Sequence, residues 1–326
     1  MRSIASCSFE TCSVTESPYG YPPSSIADTI FLIIHTGALI ASLIHTFYLA
    51  DTRKWLAFTI PVSFTCVLEI VGYGVRIGSS SDPWNVNLYA TSTTFIILAP
   101  AFMSAGLYLT IPEAIKVLGV EHSPIDVARY PRLIWMDIVG FILQLVGIVI
   151  SFSDLSVNTG LGPHVKTGSP IIAVGVALQA ISLLIFLFLF SVVLFHAAMA
   201  HSQFGYTTFH PQHGFVPMAH RFKFFVAMVL VSTMCLIGRD LYQVTILAEG
   251  LDSWNAKNQA LFAGLDGLLV AEAVVGLVIA HPVRFLRDGI EKRQRSGSAT
   301  PMIEGNRASQ FGVVRPVRRD LAPWSS

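Results

Sequence analysis

The chain has 326 residues, 53% hydrophobic and only 13% charged, with a formal net charge of +1. An ordinary soluble domain carries about 25% charged residues, so this composition excludes a water-soluble globular protein and points to a membrane one. The net charge by itself rules out nothing, no nucleic-acid partner is expected, and the placement of the charges along the chain is more informative than their sum.

Residues 1–25 form a polar tail rich in Ser, Pro and Tyr that ends Tyr19-Gly20-Tyr21-Pro22-Pro23-Ser24-Ser25, an extended lead-in to a helix. Cys7 and Cys12 of this tail can form a disulfide if it faces an oxidising lumen or the outside, whereas Cys66 and Cys235 read as small core residues. No charged region, apolar stretch and cleavage site precede residue 26, so no cleaved signal peptide is expected. Seven apolar stretches follow, at about 27–50, 55–78, 88–112, 132–152, 170–195, 222–247 and 259–281. Each is close to the roughly 20 residues that cross a hydrocarbon core. Backbone groups cannot stay unsatisfied in lipid, so these runs are helices, and residues 26–283 are predicted to be one all-α seven-helix membrane domain. From residue 284 to 326 the apolar periodicity is lost, and a disordered basic tail is expected.

Lys and Arg near the helix ends set the orientation. Arg53, Lys54, Lys116, Arg129, Arg132, Arg221, Lys223, Arg284, Arg287, Lys292, Arg293 and Arg295 fall on one side, against Arg76, Lys166 and Lys257 on the other. The amino terminus is therefore expected outside or in a lumen and the carboxyl terminus in the cytoplasm. The plasma membrane is the expected location.

The most informative stretch is Glu69-Ile70-Val71-Gly72-Tyr73-Gly74-Val75-Arg76, which puts two charges into a helix otherwise apolar enough for lipid. Glu69 and Arg76 lie two turns apart on nearly one face, with Tyr73 one turn from Glu69, so a polar stripe can face inward. Gly72 and Gly74 are expected to let a neighbouring backbone come close. The alternative is a purely structural pair of charges, with Arg76 snorkelling to the headgroups.

Asp137 and Gln144 share a face of the fourth helix, and Gln179 lies one turn from Gly175 in the fifth. Val139-Gly140-Phe141-Ile142-Leu143-Gln144 and Val174-Gly175-Val176-Ala177-Leu178-Gln179 share the pattern V-G-x-x-L-Q, which inverted pairing around a site or plain coincidence would both produce. The sixth helix carries Arg239, Asp240 and Tyr242. Adjacent residues point in different directions, which argues against an Arg239–Asp240 pair and makes Asp137 or Asp266 the natural partner of Arg239. Asp266 and Glu272 lie in the seventh helix. An interior holding Glu69, Asp137, Asp266, Glu272 and Arg239 suits an amphipathic ligand with a cationic or zwitterionic head and an apolar tail. Helices two, four, six and seven are accordingly expected to converge on one acidic, Arg-containing hollow.

His196, His201, His210, His213 and His220 crowd the predicted loop between helices five and six without the spacing of a zinc site, so no metal is expected. His35 and His45 stand ten residues apart, roughly 80° around the first helix, which suits separate roles. No phosphate-binding glycine loop, nucleophile elbow or ATP motif is present, and neither a cofactor nor an enzymatic reaction is expected.

Taken together, Tyr21-Pro22-Pro23-Ser24, Glu69-Ile70-Val71-Gly72-Tyr73 with Arg76, and Leu98-Ala99-Pro100-Ala101-Phe102 with Tyr108 form the first half of a specific ordered signal. Asp137 and Gln144, Gly175 and Gln179, Arg239, Glu249-Gly250, Asp266 and His281-Pro282 complete it. In this order and spacing the chain resembles the fungal lipid-translocating exporter family, also called aminocholesterol-resistance-like, over about residues 19–282. The resemblance implies seven spans and a role in efflux or transbilayer movement of sphingoid long-chain bases, in phospholipid asymmetry and in tolerance of toxic amphiphiles. The chain departs from the family pattern at Gln243, where a second Arg is usual, and at Ile246 and Gln259, where Glu is usual, so it carries three fewer charges there than the pattern implies.

A transporter or translocator of amphipathic lipids or lipid-like toxins is the leading expectation. Glu69, Tyr73, Arg76, Asp137, Gln144, Gln179, Arg239, Tyr242 and Asp266 are its candidate substrate-binding residues. A seven-helix receptor for such a ligand is the alternative, although the third helix has no acidic-Arg-Tyr triplet and the seventh no Asn-Pro-x-x-Tyr turn. A membrane hydrolase would need converging His ligands in the helices, which the sequence does not offer.

Overall fold

A chain that must satisfy its own backbone in lipid has little choice but helix. The computed structural model describes residues 7–49, 55–153, 164–204, 209–210, 214–215, 220–251 and 253–285. It has seven helical segments long and apolar enough to span: Ser25–Phe47, Leu56–Ser79, Val86–Leu118, Val127–Phe152, Val165–Gln203, Phe222–Glu249 and Gln259–Ile279. They are numbered first to seventh below. The protein is an integral multi-pass membrane protein.

Each span packs on its sequence neighbours, and the first returns to the seventh, so the bundle closes on itself. Large apolar side chains such as Ile33, Ile40, Val139, Ile142, Val149 and Phe188 face outward. Polar groups such as Glu69, Gln144, Arg239 and Asp266 are buried inside. This inversion of the soluble pattern is what a lipid solvent selects, because a polar group pointing into hydrocarbon has no partner there.

The predicted limits needed three changes. The third span runs to Leu118 and is broken once, between Val86–Leu98 and Pro100–Leu118, because Pro100 cannot donate the next helical hydrogen bond. The fourth starts with a 3-10 turn, Val127–Leu133. The fifth helix, Val165–Phe204, is 40 residues long, because its last two turns are rich in good helix formers such as Ala and Met. His196 and His201, expected in a loop, therefore lie on a helix, His220 opens the next one, and His210 sits in a two-residue strand pair, Phe209–His210 with Gly214–Phe215. His213, Arg53, Lys54 and the tail beyond Phe285 lie outside the described residues.

In the amino-terminal tail Cys7 and Cys12 are joined by a disulfide, a pairing the sequence allows for a tail facing an oxidising compartment, and Cys66 and Cys235 are buried thiols, as expected of small core residues.

Candidate functional site

The interior is built around Arg239, a fully buried guanidinium. Its Nε donates to Asp266 Oδ1 at 2.7 Å and its Nη1 to Asp240 Oδ1 at 3.2 Å. The third donor, Nη2, reaches the carbonyl of Ile96 at 2.9 Å. That acceptor exists because of the sequence Leu98-Ala99-Pro100: the residue four places after Ile96 is a proline without an N–H, so the Ile96 carbonyl loses its helical partner and is available to another helix. Gln243, one turn from Arg239, donates its amide to the same Asp266 oxygen at 2.8 Å. Asp266 was one of the two partners anticipated for Arg239. Asp240 was not: the Arg side chain is long enough to fold back on its neighbour, so adjacency in a helix does not prevent the pair.

Asp266 sits in a widened π-helical stretch, Phe262–Leu268, that the sequence pattern did not reveal. Such stretches shift the helical register and recur at functional sites.

Glu69 is fully buried on the second span within electrostatic reach of Asp266 and Arg239. Neither of its carboxyl oxygens has a hydrogen-bond partner among the described residues. One turn on, the Tyr73 ring stacks between Phe31 at 5.1 Å and His35 at 5.9 Å. His35 Nδ1 bonds the Phe31 carbonyl at 2.8 Å, while the His45 ring lies 5.3 Å from that of His281, so the two histidines have the separate roles their spacing suggested. Gly72 meets the third span closely, since a Cβ there would stand 2.7 Å from Ile96 Cγ1. Gly74 does not share this role: its nearest neighbour would be Leu32 Cδ1 at 3.8 Å.

Arg76 is buried rather than snorkelling. Its Nε pairs with Asp28 Oδ1 at 3.1 Å, and its Nη2 donates to Tyr21 Oη at 2.7 Å. The guanidinium also lies over the Phe262 ring at 4.0 Å and the Tyr19 ring at 4.8 Å, a cation–π arrangement. Tyr19 in turn donates to Ser79 at 3.1 Å and bonds Ser92 at 3.0 Å. The polar lead-in is thus tied across the amino-terminal end of the bundle. Burial raises the Tyr21 phenol above its ordinary value, against the opposing pull of Arg76.

A third polar group lies between the third, fourth and fifth spans. Asp137 accepts from Ser104 and Ser182, and Tyr108 Oη bonds Ser182 Oγ at 2.8 Å. Hydroxyl donors in facing helices were not singled out from the sequence, because Ser and Thr in a membrane helix commonly bond their own backbone. Gln144 donates to Gln179 at 3.3 Å on the same seam. The V-G-x-x-L-Q echo has a physical basis here: a Cβ on Gly140 would fall 2.6 Å from the Gly175 carbonyl oxygen, and one on Gly175 would fall 2.5 Å from that of Gly140. The two backbones touch at the glycines, and the two glutamines bond beside them.

Two expectations are corrected. Glu272 is exposed on the outer face of the seventh span, touched by Cys235 Sγ at 3.6 Å. Six residues on a helix turn about 240°, so it could not share the inward face of Asp266. Hydrogen bonds also divide the expected hollow into three clusters, around Arg239, Arg76 and Asp137, which stay within electrostatic reach of one another: Asp240 feels both Arg239 and Asp137, and Tyr73 both Glu69 and Arg76. Seven residues carry the helix about 10.5 Å along its axis, so Glu69 and Arg76 share a face but not partners. A small cavity of about 50 Å3 is lined by Tyr19, Tyr21, Arg76, Tyr242, Gln243 and Phe262, among others. Of the predicted site residues it brings together Arg76 and Tyr242, whose hydroxyl donates to the Asn255 carbonyl at 3.4 Å, whereas Glu69, Tyr73, Asp137, Gln144, Gln179, Arg239 and Asp266 lie outside its walls.

A closed ring of seven spans with buried, hydrogen-bonded charge at membrane depth defines a polytopic membrane protein whose specialised chemistry is inside the bundle. Residues 62–289 match the family model described as RTA1 like protein, and the chain belongs to that family. It is 26% identical over 299 residues to the sphingoid long-chain base transporter RSB1 of Saccharomyces cerevisiae strain Lalvin EC1118, covering 84% of this chain and 75% of that one. Protein RTA1 of S. cerevisiae is 24% identical over 275 residues (82% and 78%), and protein RTM1 of the same species 22% over 232 residues (70% and 68%). No solved structure matches the chain.

Proposed function

We propose that this protein translocates amphipathic lipids or lipid-like toxic compounds across the plasma membrane, as an exporter rather than an enzyme. The observation that carries the reading is the buried Glu69–Asp266–Arg239 group, within a chain whose relatives include a named sphingoid long-chain base transporter. A long-chain base has a cationic head and an apolar tail. The unpartnered carboxyl of Glu69 is the receptor for the head, Asp266 and Arg239 set the local field, and the gaps between spans take the tail. Tyr73 supplies an aromatic wall, and Arg76 with Tyr242 and the small cavity forms the approach. Asp137, Gln144 and Gln179 extend the polar path between the third, fourth and fifth spans. The amino terminus faces outward and the carboxyl terminus the cytoplasm, as the distribution of Lys and Arg favours.

The test is transbilayer movement of a labelled sphingoid base in proteoliposomes. Protein-dependent flux that falls in Glu69→Gln supports the proposal. Equal flux with and without protein would remove it, and ligand-dependent signalling without flux would favour a receptor.

A further inference from the structure

We infer that Glu69 is a proton site, holding one proton in the resting protein and giving it up when a cationic head group takes its place. The inference rests on the translocator reading and adds the ion exchanged for the substrate.

The cluster holds more carboxyl groups than cations. Three carboxyl groups, Glu69, Asp240 and Asp266, surround one guanidinium, Arg239, and all four side chains are at most 1% exposed. Asp266 and Asp240 are hydrogen-bonded to Arg239, at 2.7 and 3.2 Å. Among the described residues Glu69 has neither a hydrogen bond nor an ion pair. An ionised carboxylate buried without a partner is strongly unfavourable, and such a group neutralises instead. Groups facing Glu69 from the packed elements do not supply the missing charge. Asp266 and Arg239 of the seventh and sixth spans act on Glu69, and Cys66 and Tyr73 of its own span lie within its field; His35 of the first span lies against the Tyr73 ring with its Nδ1 on the Phe31 carbonyl. Arg76, the next cation on the same face, is engaged by Asp28 and Tyr21.

The route for exchange is short. Gln243 lines the small cavity at the amino-terminal end and donates to Asp266, so the Arg239 cluster begins one side chain below the cavity wall. Asp266 lies in the π-helical stretch, whose register can change without unfolding the span. In the exchange, with the site open to the cytoplasmic side, the Glu69 O–H bond breaks, the proton passes to water on that side, and the carboxylate pairs with the ammonium of the base. Reprotonation through the cavity at the amino-terminal end releases the base there. One proton crosses against one monovalent cation, so no net charge moves.

The experiment uses the full-length protein in weakly buffered detergent and dihydrosphingosine, a sphingoid long-chain base, as the probe. Binding is expected to release about one proton per chain from wild type and none from Glu69→Gln, which copies the neutral acid and keeps the fold. Infrared difference spectra of the resting protein at neutral pH should show a protonated-carboxyl carbonyl band that Glu69→Gln lacks. Absence of that band overturns the inference whether or not the base binds. A band with base binding but no proton release overturns the exchange while leaving the translocator reading intact. A band with neither binding nor flux removes the translocator reading, and the base as exchange partner with it.

Discussion

Replacing Arg239 by leucine removes the cation shared by Asp266 and Asp240 and the donor to the Ile96 carbonyl, whose bonds measure 2.7, 3.2 and 2.9 Å. Stripping one partner from a buried ion pair costs about 3–5 kcal/mol. An orphaned buried carbonyl adds about 1–3 kcal/mol. Working against this, interhelical bonds in membranes average only about 0.6 kcal/mol, because the unfolded chain also finds partners in the bilayer. The charged term is the larger, so we expect Arg239→Leu to lose about 3 kcal/mol or more, a fall of about 6 °C or more at roughly 2–4 °C per kcal/mol. Asp266→Asn keeps an acceptor for Arg239 and Gln243 and should lose about half as much. The double variant should lie above the sum of the two by at least about 1 kcal/mol, since removing both charges leaves less of the pair orphaned. Cys66 and Cys235 are buried free thiols, so a thiol-reactive fluorophore at one fixed scan rate reports unfolding directly. Strict additivity in this cycle would refute the reasoning, for then Arg239 and Asp266 do not depend on each other.

Gly175→Ala would place a methyl 2.5 Å from the Gly140 carbonyl oxygen and should destabilise by about 1–3 kcal/mol, whereas Gly37→Ala, with no atom within 4 Å, should be neutral; thermal midpoints compare them. Because the Tyr21 phenol is raised by burial, its contribution is intact below the ordinary tyrosine value and is lost as pH climbs past about 10. Cleavage at a protease site engineered near Glu16 should therefore quicken above that pH in wild type, and Tyr21→Phe, which cannot ionise there, should remove the alkaline change. Mass spectrometry after unfolding and alkylation without reductant should find two modified cysteines, Cys66 and Cys235, and two more only after reduction, as the Cys7–Cys12 bond requires.

The seven spans were legible because apolar length is a one-dimensional property and lipid leaves no alternative to helix. Seven-residue spacing likewise placed Glu69 with Arg76, and Asp137 with Gln144, on inward faces. Partnerships were less accessible, because they depend on which helix lies opposite. Asp28, at the start of the first span, gave no sign that it belongs to Arg76, and Ser104 and Ser182 gave none that they serve Asp137. The π-helical turn at Asp266 has no compositional mark, since its Gly and Leu residues fit a regular helix equally well. Glu272 was recoverable: its angular offset from Asp266 could be counted, and the count placed it on the outer face.

The glycine contacts between the fourth and fifth spans have a mechanical consequence. With backbone against backbone at Gly140 and Gly175, no side chain stands between the two helices at that point to slide or repack. They must travel as one plank. Any rocking that exposes the interior first to one face of the membrane and then to the other has to hinge elsewhere, with the widened turn of the seventh span the place where a helix can yield.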